Sequence, residues 1–343
     1  MTQPETRRVT IQDVAKAAGV SMSAVSKVLR QAYGVSPQMR QKVTEAIERL
    51  GYRPHAGARA MRGRSFTIGV LIADLGSPFQ LEISAGIGAE LEPSPYQEIL
   101  IGASPSEARQ RGSVEALIDR QVDGLILVAP WVETSWLEAL GAKIPTVVIA
   151  RHGGGDNFDT IVDDDYEGAR LMVNHLVGLG HRRIVHTGHS ALGLTPPHVL
   201  AHTARCEGYV AAMRRHGLVP DVIETSYSEE GGHEAALLAL AGPEPPTAVF
   251  AGADIAALGV LRAAEERGMT VPDRLSVTGY DNTFISTIGR VALTTIDQSG
   301  RHTGSISARL LLERIGGRPR PVHYIIAPRL IPRATSGPAP AER

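Results

Sequence analysis

Three short stretches carry side chains of the types that perform chemistry. His198, His202 and Cys206 are spaced by four residues, so they could line one helix face as metal ligands. Gly188–Gly193 nearly matches a nucleophile elbow, but its second glycine comes one residue late. Asp163–Asp165 could bind a cation, yet it precedes a helical segment, where carboxylates are stabilised by the helix dipole. The sequence has no glycine-rich phosphate loop, so we expect neither an enzyme nor a resident metal or cofactor.

The first thirty residues carry hydroxyl and carboxylate groups where helices should begin. Thr10 and Asp13, three residues apart, predict a helix start, because both side chains can satisfy free backbone N–H groups. Gly19 predicts the end of this helix, since glycine adopts a left-handed backbone at little cost. Ser21 would cap a second helix, and the small side chain of Ala15 would let the two helices cross. Two short helices joined by a tight turn predict a helix-turn-helix.

The segment through Arg64 continues with a third helix and is strongly basic. Ser36 and Pro37 predict the start of that helix, and Gly51 predicts its end. The segment holds twelve basic and four acidic residues, a net charge of +8, whereas the rest of the chain carries −9. A basic head gains affinity for DNA by releasing phosphate counterions. A three-helix bundle with ordinary surface charge is the alternative, which we disfavour because caps, turn and charge agree.

From Thr67 onward, short apolar strands alternate with amphipathic helices. Such alternation predicts parallel sheets with helices on both faces, and the strands are more numerous than one compact sheet needs. We therefore expect two α/β lobes with a ligand cleft between them, at the carboxyl ends of the strands. The predicted strands are Ile68–Ile72, Glu98–Ile101, Gly124–Val128, Thr146–Ala150, Ile184–Thr187, Ala248–Ala251 and Ser276–Gly279. The predicted helices are Ile83–Leu91, Glu107–Arg120, Tyr166–Leu179, Arg205–His216, Gly231–Leu240 and Ile255–Arg267.

The composition is that of a globular protein of a reducing compartment. The 343 residues are 43% hydrophobic, and the formal net charge is −1. A single cysteine, Cys206, excludes an internal disulfide framework. The sequence has no apolar signal core and no run long enough to span a membrane, so we expect a cytoplasmic protein without a membrane partner.

Between the head and the lobes, residues 53–65 form a short basic stretch. Pro54 and Gly63 bracket about two helical turns, which are marginal alone and are weakened further by Gly57. Such a helix could fold when it docks beside a symmetry mate in a DNA minor groove, with Met61 opening a base step. A plain basic linker is equally compatible with the composition.

Seven motifs stand along the chain in a set order: VTIQDVAKAAGVS (9–21), AIERLGYRP (46–54), IGVLIADLGSPF (68–79), QVDGLIL (121–127), HLVGLGHRRI (175–184), SVTGYDN (276–282) and LTTIDQ (293–298). In this order and spacing they resemble the motifs of the LacI/GalR family of transcriptional regulators, along nearly the whole chain. The resemblance implies an N-terminal all-α helix-turn-helix headpiece. It also implies an α/β, two-lobed effector domain like that of periplasmic binding proteins.

The resemblance further implies four segments and a homodimer. These are a headpiece at 1–52, a hinge helix or linker at 53–65, an effector-binding and dimerisation domain at 66–335, and a flexible tail at 336–343. The tail has no heptad repeat, which favours a dimer over a tetramer held by a C-terminal coiled coil.

By resemblance, the contacts with operator DNA lie on the second helix and in the hinge. Met22 and Ser23 would face base edges, and Lys27 would reach a base or a phosphate. Family members often carry longer hydrogen-bonding side chains at the first two positions, so the operator sequence stays undetermined. The other expected contacts are Thr10, Ser21, Ser26 and Ser36 at phosphates and caps, and Ala58 and Met61 in the hinge.

By the same resemblance, a small-molecule effector binds between the lobes. Phe79 and Tyr227 would form its apolar or stacking walls, and Arg205 would grip hydroxyls or carboxylates. Asp281 and Gln298 would be hydrogen-bonding partners, and this combination suits a sugar. Structural ion pairs are the alternative for the charged members. Additional expected contacts are Asp74 and Arg151, while departures from the family pattern at Asp163 and Ala253 leave the sugar unnamed.

Together these features predict a sequence-specific DNA-binding repressor of carbohydrate-utilisation genes that a small sugar releases from its operator. A regulator with a purine-like corepressor is one alternative, because Tyr227 could stack on either ligand. A sugar-binding protein without a role on DNA is the other. We disfavour it because a secreted solute-binding protein would need a signal peptide and would lack the basic head.

Overall fold

The computed structural model describes five segments of the chain: residues 9–29, 33–52, 64–103, 106–189 and 200–341. The chain divides into two units, Met1–Ser65 and Phe66–Arg343. Ala58, Met61 and His198 lie outside the described residues, so the predictions made for them stay untested.

The described part of the first unit has three helices around a small apolar core. They are α1 (Ile11–Ala18), α2 (Met22–Leu29) and α3 (Pro37–Leu50). Thr10 and Asp13 form the predicted capping box, in which Thr10 N donates to Asp13 Oδ2 at 2.8 Å and Asp13 N donates to Thr10 Oγ1. Ser36 accepts from Met39 N and caps α3. The helix-turn-helix prediction is confirmed, and its core consists of Val14, Ala15, Val25, Val28, Val43 and Ala46.

The second unit alternates strands and helices along most of its length. Its strands are β1 (Thr67–Ile72), β2 (Gln97–Gly102), β3 (Gly124–Val128), β4 (Thr146–Ile149), β5 (Asp159–Asp163), β6 (Ile184–His189), β7 (Asp221–Thr225), β8 (Ala248–Ala251), β9 (Ser276–Thr278), β10 (Thr295–Asp297), β11 (His323–Ile326) and β12 (Arg329–Ile331). Its helices are α4 (Pro78–Leu91), α5 (Glu107–Asp119), α6 (Thr134–Gly141), α7 (Asp165–Gly178), α8 (Ala201–Arg215), α9 (Glu229–Ala239), α10 (Asp254–Glu266) and α11 (Gly300–Ile315).

These strands form two parallel sheets, as predicted. The sheet of the first lobe has the order β11-β5-β4-β3-β1-β2, and that of the second lobe has the order β7-β6-β8-β9. A short antiparallel pair, β10 with β12, belongs to the second lobe. All five residues of β3 are buried, because helices cover both faces of the sheet. The two-lobed α/β architecture is therefore confirmed.

Within the described residues, the chain passes between the two lobes three times. It leaves the first lobe after β5 and enters α7, returns from β10 to α11, and leaves again from β11 to β12. The first lobe is therefore assembled from two separate stretches of sequence, and the second lobe is closed by the C-terminal strand. Ser299, at the second passage, has a φ of 54°.

Several helix pairs of the second unit pack with their backbones in direct contact. A Cβ on Gly304 of α11 would strike the carbonyl oxygen of Ile83 in α4. A Cβ on Gly259 of α10 would likewise strike the carbonyl oxygen of Glu229 in α9. Any larger residue at these two positions would force the helices apart.

The C-terminal residues pack on the second lobe, which corrects the prediction of a flexible tail at 336–343. Gly337 N donates to Ser276 Oγ at 3.1 Å, and Gly337 O lies 3.0 Å from His181 Nε2. Ala339 N donates to Leu179 O at 2.9 Å. Within the described parts of the chain, no helix combines the length and the apolar composition needed to traverse a bilayer.

Candidate functional site

A cleft of about 530 Å³ opens between the two lobes of the second unit. It lies at the carboxyl ends of the parallel strands, where α/β folds bind ligands. Asp74 enters it just beyond β1, Trp131 beyond β3 and Asp281 beyond β9. Six of the seven predicted effector contacts line this cleft: Asp74, Phe79, Arg205, Tyr227, Asp281 and Gln298.

Arg205 is a buried cation in the wall of the cleft. It projects from α8, is 3% exposed, and donates through Nη2 to Asp165 Oδ1 at 2.7 Å and through Nη1 to Gly252 O. Its guanidinium carbon lies 3.5 Å from the ring centroid of Tyr280. Burial opposes the charge, but the Asp165 carboxylate raises the pKa of Arg205 above its ordinary value. Arg205 Nε has no partner among the described residues.

Asp281 and Gln298 stand side by side in the same wall. Gln298 Nε2 donates to Asp281 Oδ1. Asp281 has a φ of 121°, a strained backbone held by the bridge between Asp281 and Asp297. Burial, followed by the nearby Asp254 carboxyl, raises the pKa of Asp281 well above its ordinary value. These conditions favour the protonated carboxyl, which can both donate to and accept from a hydroxyl.

Two buried carboxyl groups lie where the chain passes from β5 to α7. Tyr280 Oη donates to Asp163 Oδ2 at 2.6 Å, which joins the end of a first-lobe strand to the second lobe. Asp163 Oδ1 is buried without a partner among the described residues. Burial, followed by the charge of Asp165, raises the pKa of Asp163 to about 8. Asp165 pairs instead with Arg205 and with His152, whose Nε2 lies 2.8 Å from Asp165 Oδ2.

Three further rings line the cleft, although the sequence did not lead us to expect them there as ligand contacts. The ring of Trp131 is 5.8 Å from that of His189 and 6.4 Å from that of His202. His189 is also 5.6 Å from Tyr227. Burial, followed by the charge of His189, lowers the pKa of His202 to about 4, so this ring is neutral near pH 7. The signal for Trp131 was available, since it follows an apolar strand directly in a chain with only two tryptophans.

Arg151 does not line the cleft, which corrects its prediction as an effector contact. Its side chain is 2% exposed, and its Nη1 donates to Val132 O at 2.8 Å. Its Nη2 donates to Thr134 Oγ1, also at 2.8 Å. These bonds direct the guanidinium toward the loop between β3 and α6, and the residue acts there as a structural anchor.

The described residues contain no group of three or more side chains placed to hold a metal ion. His202 of α8 faces the rings of Trp131 and His189. Cys206 is partly buried, and burial raises the pKa of its thiol. Within the described residues, His202 and Cys206 therefore do not belong to a group that could hold a metal ion.

In the first unit, most side chains expected to contact DNA are exposed. Met22 is 52% exposed, and Ser23 and Lys27 are exposed beside it on α2. Ser26 is only 7% exposed, and this burial argues against its predicted phosphate contact. The three capping hydroxyls, which accept from backbone N–H groups at helix starts, are all exposed: Thr10, Ser21 and Ser36.

Comparison with known protein families matches both units. Residues 10–55 match the model of bacterial regulatory proteins of the lacI family, and residues 173–336 match a periplasmic binding protein-like domain. Catabolite control protein A of Priestia megaterium is 36% identical over 88% of this chain and 91% of its own length. The ribose operon repressor of Escherichia coli K12 is 34% identical over 89% and 93%. The transcriptional repressor PurR of Glaesserella parasuis is 33% identical over 89% and 90%.

Solved structures give the same result. The lac repressor dimer bound to operator and the anti-inducer ONPF has a TM-score of 0.81 at 28% identity, over 96% of this chain and 100% of that one. A LacI family regulator of Enterococcus faecium with bound ribose has a TM-score of 0.70 at 30% identity, over 79% and 99%. The chain therefore belongs to the LacI family, and it is a DNA-binding transcriptional repressor with a helix-turn-helix headpiece and a periplasmic-binding-protein-like domain.

Proposed function

We propose that this repressor acts in the cytoplasm as a homodimer on carbohydrate-utilisation genes and leaves its operator when a small sugar occupies the cleft. Two solved relatives support this proposal, since one is a dimer bound to operator and another holds ribose. The sugar would bind in the inter-lobe cleft, and the operator would be bound by α2 of the headpiece.

The main observation in favour of a sugar ligand is that polar groups converge on the cleft beside aromatic rings. Arg205 offers an unpartnered, buried N–H, while Asp281 and Gln298 lie next to each other in the same wall. Sugar hydroxyls both donate and accept, so they suit a guanidinium, a carboxyl and an amide placed together. Phe79 and Tyr227 supply flat apolar surface for the C–H faces of the ring.

The cleft can transmit ligand binding because its walls belong to both lobes. Phe79 and Trp131 come from the first lobe, whereas Arg205 and Asp281 come from the second. A sugar that contacts both walls would favour a more closed arrangement of the lobes. In the proposed mechanism this closure separates the two headpieces of the dimer. A coupling of about 1–3 kcal/mol would change DNA affinity roughly 5–150-fold.

On the DNA side, we propose that Met22 and Ser23 approach base edges and that Lys27 neutralises a phosphate. Met22 is apolar and exposed at the start of α2, so it suits contact with a thymine methyl group better than hydrogen-bonded readout. Direct readout would then be modest. Much of the affinity would come from phosphate contacts, with strong salt dependence.

Fluorescence anisotropy at fixed salt tests this proposal, with labelled DNA from the promoter region of the repressor's own gene. A panel of monosaccharides and oligosaccharides is titrated into the complex. We expect one sugar to release the DNA, and Arg205→Lys to require at least about tenfold more of it, because lysine lacks the planar fork. Arg262→Lys, an exposed position on α10, is the matched control and should respond like the wild type. An Arg205→Lys protein released at the wild-type sugar concentration would contradict the proposed grip.

A purine-like corepressor is the second candidate, because the rings of Tyr227 and Trp131 could also stack on a base. It predicts the opposite response in the same assay. Hypoxanthine or guanine would strengthen DNA binding, and all sugars would be without effect.

A further inference from the structure

The rings of the cleft form a continuous cluster that reaches from one lobe to the other. We call Trp131, His189, His202 and Tyr227 the aromatic cluster. Trp131 belongs to the first lobe and meets two histidines of the second lobe at ring distances of 5.8 Å and 6.4 Å. The two histidine rings are 4.9 Å apart, and Tyr227 stands edge-on to His189 at 5.6 Å.

The aromatic cluster and the polar group of Asp281 and Gln298 are distinct parts of one cleft. Arg205 stands next to the aromatic cluster, since its guanidinium is 5.7 Å from the ring of Tyr227, which in turn lies 5.6 Å from that of His189. Phe79 belongs to the polar part, because Gly300, two residues beyond Gln298, packs against its ring. The cleft thus offers a polar half and a flat aromatic half.

The chemistry of the aromatic half suits a second ring of a ligand. His202 is neutral near pH 7, and its Nε2 is buried with no partner among the described residues. Trp131 and the two histidines present flat faces, which pack on C–H surfaces or on another aromatic ring. The volume of about 530 Å³ falls within the range of roughly 300–1,000 Å³ that is typical of small-molecule pockets.

We propose that the aromatic cluster is a second subsite and that the effector is a two-ring glycoside, either a disaccharide or an aryl glycoside. One sugar ring binds at Arg205, Asp281 and Gln298, and the second ring packs against Trp131. This inference rests on the proposed function, because it specifies the class of sugar that the cleft selects. Trp131 is then a specificity-determining residue, since it contributes to binding only when the second ring is present.

Isothermal titration calorimetry on the full chain tests this with matched probes. Glucose and galactose are compared with cellobiose, maltose, lactose and the 4-nitrophenyl glucosides and galactosides. We expect one two-ring probe to bind at least tenfold more tightly than its own monosaccharide. Trp131→Ala should weaken that probe about tenfold and the monosaccharide less than twofold, and Trp131→Phe should restore most of the loss.

Trp136→Ala is the matched control, because Trp136 packs in the first lobe against Arg111 and does not line the cleft. It should leave both affinities unchanged. Equal binding of the monosaccharide and its two-ring partner, or equal losses for both in Trp131→Ala, would overturn the second subsite and leave the sugar-released repressor standing. Absence of binding by every probe would count against the subsite and the sugar proposal together.

Discussion

The buried carboxyl of Asp163, where the chain passes between the lobes, should make the stability of the protein depend on pH. The carboxyl is 7% exposed, its Oδ2 accepts from Tyr280, and its Oδ1 has no partner among the described residues. Burial and the adjacent Asp165 raise its pKa from 3.8 to about 8. The folded protein therefore keeps this proton to a higher pH than the unfolded chain does. The corresponding stability is fully present below about pH 4 and is lost as the pH rises toward 8.

Asp163→Asn removes this dependence, because the amide is neutral at every pH and its oxygen can still accept from Tyr280. One pKa unit corresponds to about 1.4 kcal/mol, so two pH units inside the window correspond to about 3 kcal/mol. The wild type should therefore lose about 3 kcal/mol more stability than the variant between pH 5.5 and pH 7.5. Urea denaturation followed by tryptophan fluorescence at the two pH values measures the difference.

Asp164→Asn is the matched control for this experiment. Asp164 caps α7 by accepting from Glu167 N at 3.0 Å, and asparagine caps equally well. This variant removes a neighbouring, partly exposed charge, and its stability should vary with pH as that of the wild type does. If Asp163→Asn and the wild type lost stability equally between pH 5.5 and 7.5, the account of a buried, protonated carboxyl would be refuted.

Three further perturbations test other parts of the molecule. Lys27→Ala should weaken binding to all DNA sequences alike, and the slope of log K against log salt, measured by anisotropy, should become less steep by about one. An unchanged slope would show that Lys27 does not contact a phosphate. Arg151→Met should lower stability by about 3 kcal/mol or more, since buried carbonyls lose their donor, while sugar affinity at low temperature stays unchanged. A stable Arg151→Met protein with weakened sugar binding would restore the effector role. Gly259→Ala should cost about 1–3 kcal/mol in thermal unfolding, because its methyl group meets a backbone carbonyl of α9, and an unchanged midpoint would show that the helices can separate freely.

The accuracy of the predicted strands follows burial only in part, since Asp159–Asp163 is buried throughout and was not predicted. Gly124–Val128 and Ala248–Ala251 were predicted with their observed bounds, because central parallel strands are continuous apolar runs. Asp221–Thr225 and His323–Ile326 were missed, since they lie at sheet edges and carry polar or exposed side chains. Their pairing depends on strands far away in the sequence, which local pattern does not reveal.

Of the residues that line the candidate site, some could be predicted from the sequence and others could not. Asp281 and Gln298 could be inferred from the resemblance, because each follows a strand in a family motif. The contact between Trp131 and His202 could not, since the two rings meet only after the two lobes have folded against each other. Arg151 was predicted to contact the effector because it follows a strand that ends near the cleft. In the structure its guanidinium instead donates to Val132 O and Thr134 Oγ1, which belong to a neighbouring loop and the helix after it.

The three passages between the lobes also determine the order in which the protein can be completed during synthesis. Strand β5 leaves the ribosome early, but its neighbour in the sheet, β11, is separated from it by the whole second lobe. Because translation adds about 5–20 residues per second, β5 stays unpaired on that side for roughly 10–30 seconds before β11 is made. Helix α11, which covers this sheet and packs on α4, arrives just as late. The first lobe to be translated therefore stays incomplete while most of the second lobe is made, and during that interval part of its apolar surface is uncovered.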